Sequence, residues 1–326
     1  MSTAAVLLVL AAVARPDWVD GMPAAFPRDR YVVAVGAADE RAAAELRARA
    51  GIAAFFESRV VAAAHVEETE ARARRGGVEL RVASVAARQE VTAASAKLLE
   101  GVEIAEVWLD PEGRSHALAV LDRGRASDVL RRRLADVDGE IVGLAARLRD
   151  EKARFERARI AHRIVTAAAR RPAIVEDLRV IDPGAEPPVP AGAEAARGAA
   201  EQALAAVAVA IRTTGEAASP VGAAATRAVL ATGMRAVAPG APHDLSAAID
   251  VEAAPPATAE GWMVVRLSAR VRVVSTGLLD AVVTFVETAK GTSGRADEAA
   301  RRAGEALAAR VEERLHDDLR SRLEAR

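Results

Sequence analysis

Asp110 and His116 stand six residues apart across the segment Asp110-Pro111-Glu112-Gly113. A carboxylate that reaches a histidine ring is the orienting half of an acid–base or nucleophilic constellation. The other half is not written in the chain: there is no G-x-S-x-G elbow, no H-E-x-x-H pair and no Walker loop. Two groups are also too few to hold an ion. The five histidines, His65, His116, His162, His243 and His316, occur singly and without ligand spacing, so a metal site would have to be assembled wholly by tertiary contacts. Gly291-Thr292-Ser293-Gly294-Arg295 opens the last expected helix and would in principle cradle an anion. It lacks the Gly-Lys-Ser/Thr ending of a phosphate loop and reads as a loop with capping residues. His316-Asp317-Asp318 reads as a solvated helix face. The expectation is therefore a protein that is not an enzyme, with no catalytic, metal or cofactor-binding residue and no cofactor.

The elements that would position these residues follow from periodicity. Tyr31–Val35 is a short β-branched run ended by Gly36, and Asp39 then caps a helix to about Gly51. Phe55–Val66 is apolar and β-prone, Glu67–Arg75 is a charged tract that reads as a solvated face like Arg131–Arg133, and Gly76-Gly77 is a break. Val78–Leu99 reads as a helix or a helix–strand mixture. Past Gly101, Val102, Ile104, Glu106 and Trp108 alternate with Glu103, Ala105, Val107 and Leu109, and the turn at Asp110–Gly113 leads into His116–Leu121, a β-hairpin. Trp18 and Trp108 read as core anchors, because a sugar platform would need more rings than the chain has. From Asp128 to about Arg171, Leu130, Leu134, Val137, Ile141, Leu144, Leu148, Phe155, Ala158, Val165 and Ala169 share a heptad-like face. That predicts one long amphipathic helix, kinked near Asp138-Gly139 and packed on its own domain, since Glu151 and His162 interrupt a coiled-coil seam.

Pro172 is expected to stop that helix before a short strand, Val175–Ile181, and a connector rich in Pro and Gly. The second half reads as strand 205–212, helix 219–231, strands 235–238, 246–252, 262–274 and 278–287, and a closing helix 295–323. Val265, Leu267, Ala269, Val271 and Val273 alternate with Arg266, Ser268, Arg270 and Arg272, the mark of a half-buried strand. The closing helix turns Ala299, Ala303, Leu307, Val311, Leu315 and Leu319 toward that sheet. The fold class is α+β: two small sheet-plus-helix domains joined by a long helix and a Pro-rich linker. The divisions are 1–14, 15–171, 172–195 for strand and linker, and 196–326.

Composition narrows the function. Hydrophobic residues make up 51% and charged residues 28%, enough for a core and for solubility. Aromatics are only 3%, which argues against binding bases or sugars by stacking. Lys and Arg total 45 against 46 Asp and Glu, interspersed rather than blocked, so no phosphate-tracking surface and no nucleic acid is indicated. The absence of cysteine removes disulfides, thiol chemistry and a lipid anchor on cysteine. Ala4–Ala14 is an apolar run of signal-peptide length, too short to cross a bilayer. Ala12 and Ala14 supply the small-x-small cleavage pattern, leaving no membrane span after removal, although Met1-Ser2-Thr3 carries no basic residue.

A resemblance adds to this reading. Pro16-Asp17-Trp18, the strand Tyr31–Gly36, Phe55-Phe56, the run Leu98–Asp110 and His116–Arg123 resemble the Lpp-twenty lipoprotein family, over about residues 16–170. The same domain type is similar to the amino-terminal part of the flagellar assembly protein T. The resemblance implies a bacterial envelope protein without catalytic residues, with His116 at a position where a tyrosine is usual. The second half is similar, by element order, to the anticodon-binding-like domain of periplasmic assembly factors such as the TolB amino-terminal domain and the curli secretion component. The expectation is a non-catalytic periplasmic or envelope-associated protein in assembly or scaffolding of an envelope structure. Its partners would be envelope proteins or its own copies in a ring or oligomer. The alternative is a module binding peptidoglycan or another envelope polymer.

Overall fold

Residues 15–20, 23–56, 101–259, 261–276 and 281–325 are described by a computed structural model of the chain, and elements are numbered among them. The readings placed on Ala4–Ala14 and on residues 57–100 lie outside this set. Contacts divide the chain into two units that each draw on separated stretches. The first takes residues up to 68, 91–133 and 173–187, and the second takes 69–90, 134–172 and 188–326.

In the first unit, β1 (Tyr31–Ala38), β2 (Glu103–Leu109) and β3 (Ser115–Asp122) form an antiparallel sheet in the order β1-β3-β2. The hairpin falls where the alternation placed it, and β1 runs through Gly36 instead of stopping there. Gly36 explains why: a Cβ at this position would come within 2.3 Å of both the Ala44 oxygen and the Ala48 nitrogen. The strand needs a residue without a side chain because helix α1, residues 41–56, lies directly on it. Phe55 and Phe56 belong to that helix, not to a following strand. On the opposite face Trp18, in the tight helical turn Asp17–Asp20, joins Leu118 and Val120 in a core cluster. Val19, Phe26, Tyr31, Val33, Val35, Ala105 and Trp108 pack around it.

The long helix is two helices, α2 (Arg123–Asp150) and α3 (Arg154–Ile181). The break falls at residues 151–153 and not at Gly139, which stays inside α2. Glu151 lies at the break: its carboxylate accepts from the backbone N–H groups of Lys152 and Ala153, each at 2.8 Å, which gives these groups between the helices a partner. Leu130 to Leu148 are buried as the heptad reading requires, but Phe155, Val165 and Ala169 are only half-buried. Beyond the break the buried set moves to Ala158, Ala161, Ile164 and Ala167. Within the second unit's share the two helices run antiparallel. Arg171 Nε donates to Asp138 Oδ1 at 2.9 Å, and Arg170 pairs with Glu140. Pro172 does not stop α3, and residues 175–181 are helix where a strand was expected. An exposed proline removes one N–H from the ladder, and Ile174, Leu178 and Ile181, all buried, outweigh that loss.

In the second unit, α4 (Ala193–Ala205), which begins in the expected linker and fills a stretch to which the sequence pattern assigns no element, precedes β4 (Ala208–Gly215), α5 (Ala218–Ala231) and β5 (Arg235–Val237). Strands β6 (Leu245–Ala253), β7 (Ala257–Ala259), β8 (Trp262–Ser275) and β9 (Ala281–Ser293) follow, and α6 (Ala296–Glu324) closes the chain. Strand β4 is parallel to β5 and β6, while β6, β7 and β9 are antiparallel to β8. Helix α6 lies against β8 and β9, and against α5. Its buried stripe Ala299, Ala303, Leu307, Val311, Leu315 and Leu319 is the one the sequence pattern assigns. Gly291 repeats the device of Gly36: a Cβ there would lie 2.0 Å from the Ala299 oxygen and 2.5 Å from the Ala303 nitrogen. The fold class is α+β.

Candidate functional site

The hairpin of the first unit brings together Asp110 and His116, the pair that the sequence singled out for chemistry. Cross-strand register sets Trp108 opposite His116 and Leu109 opposite Ser115. Asp110 accepts a backbone hydrogen bond from Arg114 at Oδ1 (2.7 Å), and its Oδ2 lies 3.0 Å from His116 Nε2. Only 12% of the Asp110 side chain and 15% of the His116 side chain are exposed. The hydrogen bond from His116, with the Arg114 N–H behind it, holds the Asp110 carboxyl below its ordinary range. Trp108 covers the imidazole, with ring centroids 5.2 Å apart and planes at 44°.

A shift of register between Ile104 and Glu106 puts a bulge in β2 that parts Glu106 from Ile104, while Glu106 and Trp108, two residues apart, share one face of the strand. There Glu106 Oε2 accepts a hydrogen bond from Trp18 Nε1 at 2.6 Å. The sequence reading found Trp18 and Trp108 as anchors and paired Asp110 with His116, but it missed Glu106. Alternation puts Glu106 on the face of Trp108, where it lies, but its bond to Trp18 joins residues 88 apart, which a single strand's pattern does not reveal. As chemistry, the group is a carboxylate–imidazole pair across a turn, with one ring face against Trp108.

Residues 16–122 match the LPP20 lipoprotein family. The matched segment begins at the Trp18 turn and ends with the last residue of β3, so α2 and α3 lie beyond it, short of the limit near 170 that the resemblance implied. All four side chains of the hairpin cluster fall within the LPP20 segment. The crystal structure of the secreted protein HP1454 from Helicobacter pylori is 12% identical, with a TM-score of 0.44 over 87% of this chain and 97% of that one. That of a candidate lipoprotein from Caulobacter crescentus CB15 is 13% identical, with a TM-score of 0.28 over 37% of this chain and 92% of that one. No curated protein matches this chain.

Outside the LPP20 segment, His162 and His316 come near enough to each other to interact electrostatically, beside Glu324. Gly291–Ser293 are the end of β9, where Gly291 serves helix packing, so the glycine-rich stretch is strand and not an anion loop. His162 is buried in α3 with Nε2 3.7 Å from Glu324 Oε1, and burial, opposed by the Glu324 carboxylate, lowers its pKa from the ordinary histidine value. His316, read as solvated, is half-buried on α6. Among the described residues no group of three His, Asp or Glu side chains is placed to hold a metal, and no helix is long and apolar enough to cross a membrane. Ala12 and Ala14 lie outside the described residues, as does His65.

Proposed function

We propose that this chain is a non-catalytic protein of the bacterial envelope, exported with cleavage after Ala14, that contributes to assembling or scaffolding an envelope structure. The match of residues 16–122 to a lipoprotein family carries the reading. The hairpin supports it, because the acid–histidine pair spans the turn between β2 and β3, with Trp108 against the imidazole. Its partners would be envelope proteins or further copies of the same chain, met through sheet faces and edges.

The test is fractionation of cells expressing the native chain, with mass analysis of its amino terminus and cross-linking in place. A periplasmic or outer-envelope species beginning at Arg15 and captured in a defined complex is the expected result. An uncleaved cytoplasmic species without partners would end this reading. Capture by peptidoglycan alone would replace assembly with the polymer-binding alternative.

A further inference from the structure

We infer that the open face of the second unit's sheet docks on a lipid bilayer bearing anionic headgroups. Helices α5 and α6 cover one face of this sheet, and the residues of opposite parity along β4, β6, β8 and β9 form the other. Register places Arg272 opposite Ala248 and Thr284, Arg270 opposite Asp250 and Val286, and Arg266 opposite Lys290, while Arg212 lies opposite Ala248 on the far side of β6. All these positions are exposed.

The face is basic by arrangement. Five cations, Arg212, Arg266, Arg270, Arg272 and Lys290, meet two carboxylates, Asp250 and Glu252. Both acids are drawn to one place: Asp250 lies across from Arg270 and accepts from Thr214 Oγ1 at 2.5 Å, and Glu252 lies 3.8 Å from Arg270. Arg212, Arg266, Arg272 and Lys290 have no ion pair among the described residues, in a chain whose formal net charge is −1. Like charges directly opposite each other weaken a sheet, yet Arg266 and Lys290 are so placed. An anionic partner turns that repulsion into attraction.

Two exposed apolar side chains select a bilayer over an acidic polypeptide. Trp262, 54% exposed, begins β8 on the same face, and Val286, 55% exposed, sits between the cationic rows. Exposed tryptophan on the same sheet face as Arg and Lys suits the headgroup region, where the ring enters the acyl boundary and the cations stay with the phosphates. The free edge of β9 is a poorer docking element. Arg310 and Arg302 of α6 donate to the Thr288 and Thr292 carbonyls, occupying acceptors that an added strand would need. The proposal uses only this face and stands apart from the LPP20 segment.

The test is co-sedimentation of the full chain with phosphatidylcholine vesicles, with and without phosphatidylglycerol. Replacing Arg212, Arg266, Arg272 and Lys290 together by Gln should weaken binding to the anionic vesicles by roughly a hundredfold or more. It should leave any binding to neutral vesicles, including that of the apolar amino terminus, unchanged. D250N/E252Q should tighten binding several-fold, a gain that no folding defect imitates. A blue shift of tryptophan emission on the anionic vesicles should vanish in W262F. Equal binding by all variants would overturn the proposal. So would charge-dependent binding to polyglutamate without binding to vesicles, which would make the face a protein-docking surface.

Discussion

Trp18 Nε1 ties the start of the described chain to the hairpin, and the ring and the nitrogen contribute different amounts. The ring is 2% exposed and central to its cluster, so Trp18→Ala should cost about 3–5 kcal/mol. Trp18→Phe keeps most of the ring and loses only the bond to the exposed carboxylate of Glu106, which water can then solvate, so it should cost about 1 kcal/mol. Urea denaturation separates the two, and equal losses would show that the hydrogen bond, not the packing, holds the segment. His162 makes a second residue-scale prediction. Its folded pKa lies below the unfolded value near 6.5, chiefly through burial, with Glu324 opposing and Arg320 and His316 adding to the shift. Protonation therefore favours the unfolded chain. The stability that neutral His162 preserves is complete above about pH 6.5 and is lost as pH falls toward the folded pKa, at no more than about 1.4 kcal/mol per pH unit. Stability measured at descending pH should fall less steeply in His162→Gln than in the parent; identical slopes would remove His162 as a source of acid sensitivity.

At the scale of elements, the sequence was legible wherever one strand or helix carried its own period. The β2–β3 hairpin, the arginine-laced β8 and the buried stripe of α6 all lie where alternation or helical spacing put them. The misses were at places where a neighbour decides. Pro172 lies within α3 because buried residues on its far side hold the helix together, and the helix break lies at 151–153, where the Glu151 carboxylate takes up two backbone N–H groups, a local detail that the stripe of leucines hides. Gly36 was read as a strand end and Gly291 as part of a loop, yet each is the point where an Ala-x-x-x-Ala pair of a helix touches a strand backbone. The candidate site was half legible: Asp110 and His116 are close in sequence, whereas Glu106 joins it through Trp18, 88 residues away. Gly36→Ala and Gly291→Ala should each cost about 3 kcal/mol, the upper end for overpacking, because the obstructing atoms are backbone and not movable side-chain ends. Pro172→Ala should instead stabilise the chain by up to about 3 kcal/mol by restoring an N–H to an exposed turn of α3. Thermal melts of the three variants give the signs, and stabilisation by either glycine substitution would contradict the close approach.

At the scale of the whole molecule, the first unit is not a continuous piece of chain. It closes on residues 173–187, which arrive after α2 and most of α3 have been laid down. Arg123 donates to the Val180 and Ile181 carbonyls, each at 2.9 Å, and Arg131 pairs with Asp182 at 2.9 Å. Ile174, Leu178 and Ile181 are buried with 2% exposure or less, as is Leu130. A fragment covering residues 15–122 has the sheet and the Trp18 cluster but lacks these side chains, so apolar surface that the full chain buries would face water. Small domains leave little margin for such a loss. The fragment should therefore show no cooperative unfolding transition, while a fragment covering residues 15–187 should recover one, along with the near-ultraviolet circular dichroism of packed Trp18 and Trp108. If residues 15–122 alone unfold cooperatively with the midpoint of the longer fragment, the helical return is dispensable and the LPP20 segment is a self-sufficient unit. If neither fragment does, the first unit depends on the remainder of the chain, residues 188–326.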